Sequence, residues 1–136
     1  MQQDKIEAAL TTALKHIEEA ISAHARNDEK TMSNSLWSTS AETEYAVFLL
    51  SLLQGDKSNT ILKQGSSGKQ PTEPVSILTS VQQLLRNAKE KVQDGEHTEG
   101  YQEAWTARNM LLKLQESLGK KTSKNRTRFR RLLFAL

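Results

Sequence analysis

Three histidines and sixteen acidic residues are the side chains of this sequence that could bind a metal ion or carry acid–base chemistry. His16 and His24 are eight residues apart, so on one helix they would lie about 12 Å apart, too far to bind one metal ion together. No glutamate stands three residues before a histidine, so the Glu-x-x-His spacing of di-iron helical bundles is missing. His24 continues an apolar helical pattern and is expected at a bundle end, whereas His97 is expected in solvent.

Motifs of the common enzyme classes are also missing from the sequence. The run from Gly65 to Lys69 lacks the spacing of a phosphate-binding P-loop, and Gln-Pro follows it instead of a helix-opening Ser or Thr. There is no cysteine, no Gly-x-Ser-x-Gly and no His-Glu-x-x-His. The Arg-then-His spacing of bundle-type ribonucleases does not occur at Arg26, Arg86 or Arg108. We therefore expect a non-enzymatic protein with no metal, no cofactor and no small-molecule substrate.

A basic segment near the C-terminus, Lys120 to Arg131, is the strongest chemical signal. Its lysines and arginines can neutralise phosphates, and an aromatic ring among them can stack on a base. The candidate nucleic-acid-binding residues are Lys120, Lys121, Lys124, Arg126, Arg128, Phe129, Arg130 and Arg131. The segment is also amphipathic, since Phe129, Leu132, Leu133 and Leu136 follow the i, i+3, i+4, i+7 spacing of a helix.

The charge of the chain is divided between its two parts. The net charge is +3, but from Lys120 onward there are seven basic residues and no acidic ones. Positions 1–119 therefore hold 12 basic against 16 acidic residues, a net charge of −4. A basic tail on an acidic body is typical of a protein that binds a polyanion or docks the tail on itself.

Length and composition favour one soluble domain. A chain of 136 residues, 36% of them hydrophobic, has enough apolar surface for one core but not for two. The N-terminal sequence lacks the basic and apolar regions of a signal peptide. The longest apolar run, from Ala46 to Leu50, is far too short to cross a membrane. We therefore expect a cytoplasmic protein without an integral membrane segment.

Hydrophobic periodicity predicts helices over about 4–25, 28–54, 74–94 and 96–118. Asn27 or Asp28 is expected to cap the second helix, and Pro74 to open the third. The segment from Tyr45 to Leu53 is apolar on most sides and is expected to be the most buried part of the chain. The third helix carries an almost regular heptad pattern, formed by Val75, Leu78, Val81, Leu85, Ala88 and Val92.

These elements predict an all-α fold, a four-helix bundle built of two antiparallel helical hairpins. Residues 55–72 contain three glycines and one proline and form the expected linker, long enough to join helices that are not neighbours. Gly119 is expected to end the fourth helix. The bundle would then span 1–119, followed at 120–136 by a short basic amphipathic helix or tail.

Three large side chains suggest how the helices meet. Arg108 lies on the apolar side of the fourth helix, so it is expected either to reach the edge of the core or to pair with Glu42 or Glu44. Trp37 and Trp105 are expected to be core or edge anchors. An exposed tryptophan would instead mark an interaction surface, because tryptophan is enriched at binding hot spots.

Two functional hypotheses remain open at this point. The first is a nucleic-acid-associated protein whose tail contacts RNA or DNA, with binding that weakens steeply as salt rises. The alternative is a helical protein-interaction module, monomeric or homodimeric, whose tail helix docks on the bundle or on a partner. That alternative predicts salt-insensitive association and an exposed apolar patch of several hundred Å². An anionic membrane surface is a third site to which the tail can bind.

Overall fold

The computed structural model describes the backbone of residues 2–54 and 73–135, and the side chains of residues 3–53 and 73–118. This part of the chain forms four α-helices: α1 (Gln2–Ala25), α2 (Glu29–Gln54), α3 (Pro74–Gln93) and α4 (His97–Ala135). The predicted linker at 55–72, including Gly55 and Thr72, lies outside the described residues.

The turn between α1 and α2 combines a left-handed residue with a side-chain cap. Asn27 has a φ of 58°, a conformation that asparagine tolerates better than most residues, and it reverses the chain after α1. Asp28 caps α2, because its Oδ1 accepts a hydrogen bond from the backbone N–H of Thr31 at 3.2 Å. Hydrogen bonds from Thr31 also hold the pKa of the Asp28 carboxyl below its ordinary value. The prediction of a cap at this turn is confirmed at Asp28.

The two hairpins pack side by side, so that each helix contacts two others. In the described residues α1 packs on α2 and α3, and α4 packs on α3 and α2, whereas the diagonal pairs make no contact. The Gln3 Nε2 donates to the Val92 carbonyl oxygen at 3.1 Å, which places the start of α1 beside the end of α3. Every neighbouring pair is therefore antiparallel. This arrangement confirms the predicted bundle of two hairpins, and the long linker joins the diagonal pair α2 and α3.

The core consists of one stripe from each helix. Ile6, Leu10, Ile17, Leu50, Leu85 and Leu111 are among its fully buried side chains. The heptad pattern predicted for α3 is confirmed from Leu78 to Val92, but Val75 in the first turn is 45% exposed. Most of the helix-to-core assignments thus follow from periodicity, with α2 as the exception described below.

The turn between α3 and α4 depends on two glycines with different roles. Gly95 has a φ of +80° and open space around it, so it is needed for the backbone conformation alone. Gly100 lies where α4 packs tightly against the end of α3. A Cβ atom there would stand 3.0 Å from Val92 Cγ2 and 3.4 Å from the Ala88 carbonyl oxygen. The start of α4 is therefore closely packed against the end of α3.

The fourth helix does not end at Gly119, where the sequence predicts its end. Its backbone remains helical to Ala135, which makes α4 39 residues long against 26 for α2. At about 1.5 Å per residue, α4 is about 20 Å longer than its neighbour. A single glycine costs a helix only about 1 kcal/mol, and the residues that follow are mostly good helix formers with no proline among them.

Candidate functional site: the outer face of α2

Helix α2 has an apolar outer face, which is the opposite of the buried position predicted for its aromatic residues. Trp37 is 69%, Phe48 56%, Leu52 54% and Tyr45 45% exposed. With the exposed Ala41, these residues recur at spacings of four, four, three and four, which puts them on one side of the helix. We call these five residues the α2 stripe. It extends over about 22 Å of helix.

The opposite side of α2 faces the core and is unusually polar. The buried positions comprise Met32, Leu36, Thr39, Thr43, Ala46 and Leu50 at heptad spacing, with Ser35, Ser40, Val47 and Leu49 beside them. The two buried threonines satisfy their hydroxyls within the helix. Thr39 Oγ1 donates to the Ser35 carbonyl oxygen at 2.8 Å, and Thr43 Oγ1 donates to the Thr39 carbonyl oxygen at 2.7 Å. The helix therefore buries hydroxyls and exposes aromatic rings.

Two predictions about this helix are therefore wrong. The segment from Tyr45 to Leu53 is not the most buried part of the chain, since it includes several of the most exposed large apolar side chains described. Trp37 is not a core anchor. Trp105, in contrast, packs partly buried against the core, as predicted. A signal for the outer face was present in the sequence, because two apolar patterns with helical spacing lie half a turn apart on α2 and only one can face a core.

A shallow groove between α2 and α4 borders the stripe at Trp37. It has a volume of about 570 Å³ and is lined by Trp37, Ser40, Ala41, Glu44, Leu112, Gln115 and Glu116. Leu112 is 39% exposed and extends the apolar surface from α2 onto α4. The Nε2 atom of Gln115 is buried without a hydrogen-bond partner. The surface of the groove is thus mainly apolar.

An ion pair lies beside the α2 stripe, near its middle. Arg108 Nε donates to Glu44 Oε1 at 3.0 Å, joining α4 to α2 across the groove. This confirms the second of the two environments predicted for Arg108 and selects Glu44 as its partner. Both side chains are partly exposed, so the pair positions the two helices more than it stabilises them.

The eight predicted nucleic-acid-binding residues all lie on the C-terminal part of α4 (Lys120, Lys121, Lys124, Arg126, Arg128, Phe129, Arg130 and Arg131). Their backbone is helical, whereas their side chains lie outside the described part of the chain.

The histidines and carboxylates do not converge in the described residues. No group of three or more of them lies close enough to hold a metal ion there. His16 Nδ1 lies 3.4 Å from Glu19 Oε2 on the same exposed face of α1. His97, expected in solvent, is instead half-buried, and its Nε2 atom has no hydrogen-bond partner.

A charged cluster with shifted pKa values lies at the α3–α4 turn. Lys91 Nζ lies 3.0 Å from Glu96 Oε2. The hydrogen bond between them raises the pKa of Lys91 and lowers that of Glu96. The hydrogen bond with Glu96 and the charge of that carboxylate raise the pKa of Glu99. These exposed groups connect the end of one helix to the start of the next, which is a structural role.

Comparison with known proteins finds no matching family model, no matching curated protein and no matching solved structure. Among the described helices, none is long and apolar enough to cross a membrane.

Proposed function

We propose that this chain is a non-enzymatic helical protein-interaction module that binds a protein partner through the outer face of α2. The observation that supports this function is the α2 stripe itself, four large apolar side chains in one line on the side of the helix facing away from the core. Tryptophan and tyrosine are among the residues most enriched at binding hot spots, and both occur in this line.

The distribution of residues on α2 favours a binding role over a purely structural one. A helix that serves only its own bundle buries its largest apolar residues and exposes its hydroxyls. Here the buried side carries Thr39 and Thr43, and the exposed side carries Trp37 and Phe48. Taking each aromatic side chain as roughly 200 Å², the exposed apolar area of the stripe is on the order of 500 Å², at the upper end of what monomers normally expose.

Site-specific photo-crosslinking tests this proposal in cells that express the full chain. A benzoylphenylalanine in place of Phe48 should give a discrete protein adduct on irradiation, identified by mass spectrometry. The same substitution at Val75, an exposed apolar residue of α3, is the matched control and should give none. The adduct should also disappear when Trp37→Glu is added, because that change puts a charge on the contact surface. Equal labelling at both positions, or none at Phe48, would contradict the proposed binding face.

A second function, which we also infer from charge, is nucleic-acid contact through the basic segment of α4. Seven basic and no acidic residues in the final 17 positions give a local charge that attracts phosphates. Helix α4 is longer than α2, and the basic residues lie on its C-terminal part. This greater length supports the inference.

A salt series with single-stranded RNA and duplex DNA checks this second function. The full chain should lose at least about tenfold in affinity between 50 and 200 mM salt, since each released counterion adds to the slope. Truncation after Gly119 should abolish binding, while Trp37→Glu with Phe48→Glu should leave it unchanged. If the truncated chain binds as tightly as the full chain, the basic segment is not the contact.

A further inference from the structure

The α2 stripe is a straight line of side chains on a convex surface. The outside of a helix cannot enclose a ligand, so its complement is another straight line of side chains, such as the stripe of a second helix. From Trp37 to Leu52, successive residues of the stripe are four, four, three and four positions apart in the sequence. In the reverse direction the separations are four, three, four and four. A stripe with almost the same spacing in both directions can pair with a reversed copy of itself.

Residue sizes fit this reversed pairing. With the centre between Glu44 and Tyr45, Trp37 lies opposite Leu52 of a second copy, and Ala41 lies opposite Phe48. Ala41 is the one small residue of the stripe, and it faces a large aromatic ring in this register. A small residue opposite a large one is the arrangement that allows two helices to pack without a void.

The charges near the centre are also compatible with two copies. Glu44 is the carboxylate of α2 that would lie closest to the twofold axis, and like charges there would oppose association. Each Glu44 already accepts a hydrogen bond from Arg108 of its own chain at 3.0 Å. Two Glu44–Arg108 pairs side by side form a neutral group.

The area available is suitable for a dimer. About 500 Å² of apolar stripe per copy, together with the residues on either side, approaches the roughly 800 Å² that each partner buries in a standard interface. The sequence of the linker at 55–72 has two large apolar residues, Ile61 and Leu62, with which it could cover the α2 stripe. Two such side chains cannot cover four spread over about 22 Å of helix.

We propose that the α2 stripe binds the α2 stripe of a second copy of this chain, antiparallel and around a twofold axis near Tyr45. This inference rests on the proposed interaction function and specifies its partner. The product is a homodimer in which the two bundles lie on opposite sides of the α2–α2 contact. The basic segments of the two α4 helices stay outside that contact.

Sedimentation of the full chain over about 1 to 300 µM tests the dimer, since reversible association depends on concentration. The mass should rise with concentration from 15.3 kDa toward twice that value. Trp37→Glu with Phe48→Glu should weaken association by at least tenfold, while the control Val75→Glu on α3 should leave it unchanged. Circular dichroism of each variant reports whether the fold is kept. A chain that stays monomeric at every concentration, or a dimer that survives the double substitution, overturns the proposal.

The absence of cysteine from the sequence allows a test of orientation. Under mild oxidation, a mixture of Ala41→Cys and Phe48→Cys chains should form a disulfide-linked heterodimer, because the two positions face each other. Ala41→Cys alone should not, since the two copies of that residue would lie about 10 Å apart along the axis. Efficient self-linking of Ala41→Cys overturns the antiparallel arrangement. If a monomeric chain still gives an adduct with a different protein from position 48, the interaction function stands and the second copy is not its partner.

Discussion

Leu50→Ala is expected to lower the free energy of unfolding by about 3 kcal/mol, whereas Phe48→Ala, two residues away on the same helix, changes it by less than about 0.5 kcal/mol. Leu50 is fully buried, so its truncation leaves a cavity among packed side chains. Phe48 is 56% exposed, so its ring loses little on truncation. Urea unfolding followed by circular dichroism measures both changes.

Protein concentration provides the control for this comparison. If Phe48 takes part in association, its contribution to stability grows with concentration, whereas that of Leu50 does not. The experiment is therefore run at two concentrations at least tenfold apart. If both variants lose a similar free energy of unfolding at the lower protein concentration, Phe48 is buried within a single chain. The α2 stripe would then not be a surface, and the proposals based on it would be withdrawn.

Gly100→Val is expected to lower the free energy of unfolding by about 2 kcal/mol, although valine is the better helix former. The new Cβ would stand 3.0 Å from Val92 Cγ2, and valine has little freedom to move away because branching at Cβ restricts its rotamers. The added methyl groups would push α3 and α4 apart at this contact. Thermal and urea unfolding of the full chain measure the change.

The other glycine of this turn is the matched control. Gly95→Asn should change stability by less than about 1 kcal/mol, because asparagine tolerates a positive φ and nothing lies within 4 Å. Gly100→Asn should lower the free energy of unfolding about as much as Gly100→Val does. The loss comes from the steric contact with Val92 and not from the backbone conformation at position 100. If the two asparagine variants are equally stable, Gly100 is not a close-packing position.

The two faces of α2 give one physical account of the fold and of the proposed function. Small side chains on the core side, including Ser35, Thr39 and Thr43, leave room for close packing against α1, which itself buries Ala9, Ala13, Ala20 and Ala23. The aromatic residues of α2 are then left on the outside, where a partner can bury them. In the proposed dimer, the core of the bundle and the interface between copies use opposite sides of the same helix.

Several features of this protein followed from the sequence because they depend on neighbouring residues only. Spacing of apolar residues predicted four helices, and the turn residues Asn27, Asp28 and Gly95 predicted where three of them start or end. The heptad pattern of α3 predicted its buried side. The separation of an acidic body from a basic C-terminal segment is a property of the sequence itself, and no fold is needed to see it.

The C-terminal end of α4 shows the limit of a local signal. Gly119 is a common residue after a helix, but the same residue is tolerated inside one for about 1 kcal/mol. Its neighbours determine which outcome occurs, and here the lysine- and arginine-rich residues after it continue the helix. The sequence therefore predicted a helical and amphipathic C-terminal segment but not its continuity with the bundle.

Which side of α2 is buried depends on how the four helices pack together, and not on local sequence. Periodicity shows that Trp37 and Phe48 share one side and that Leu36 and Leu50 share another, yet both sides carry large apolar residues. The choice depends on the shape and size of the surfaces that α1 and α4 offer, which are set by residues distant in sequence. The partner of Arg108 was decided in the same way, because Glu42 and Glu44 lie on one helix and only its rotation against α4 selects Glu44. Local sequence determined the helices, and packing between them determined the surface on which the proposed function depends.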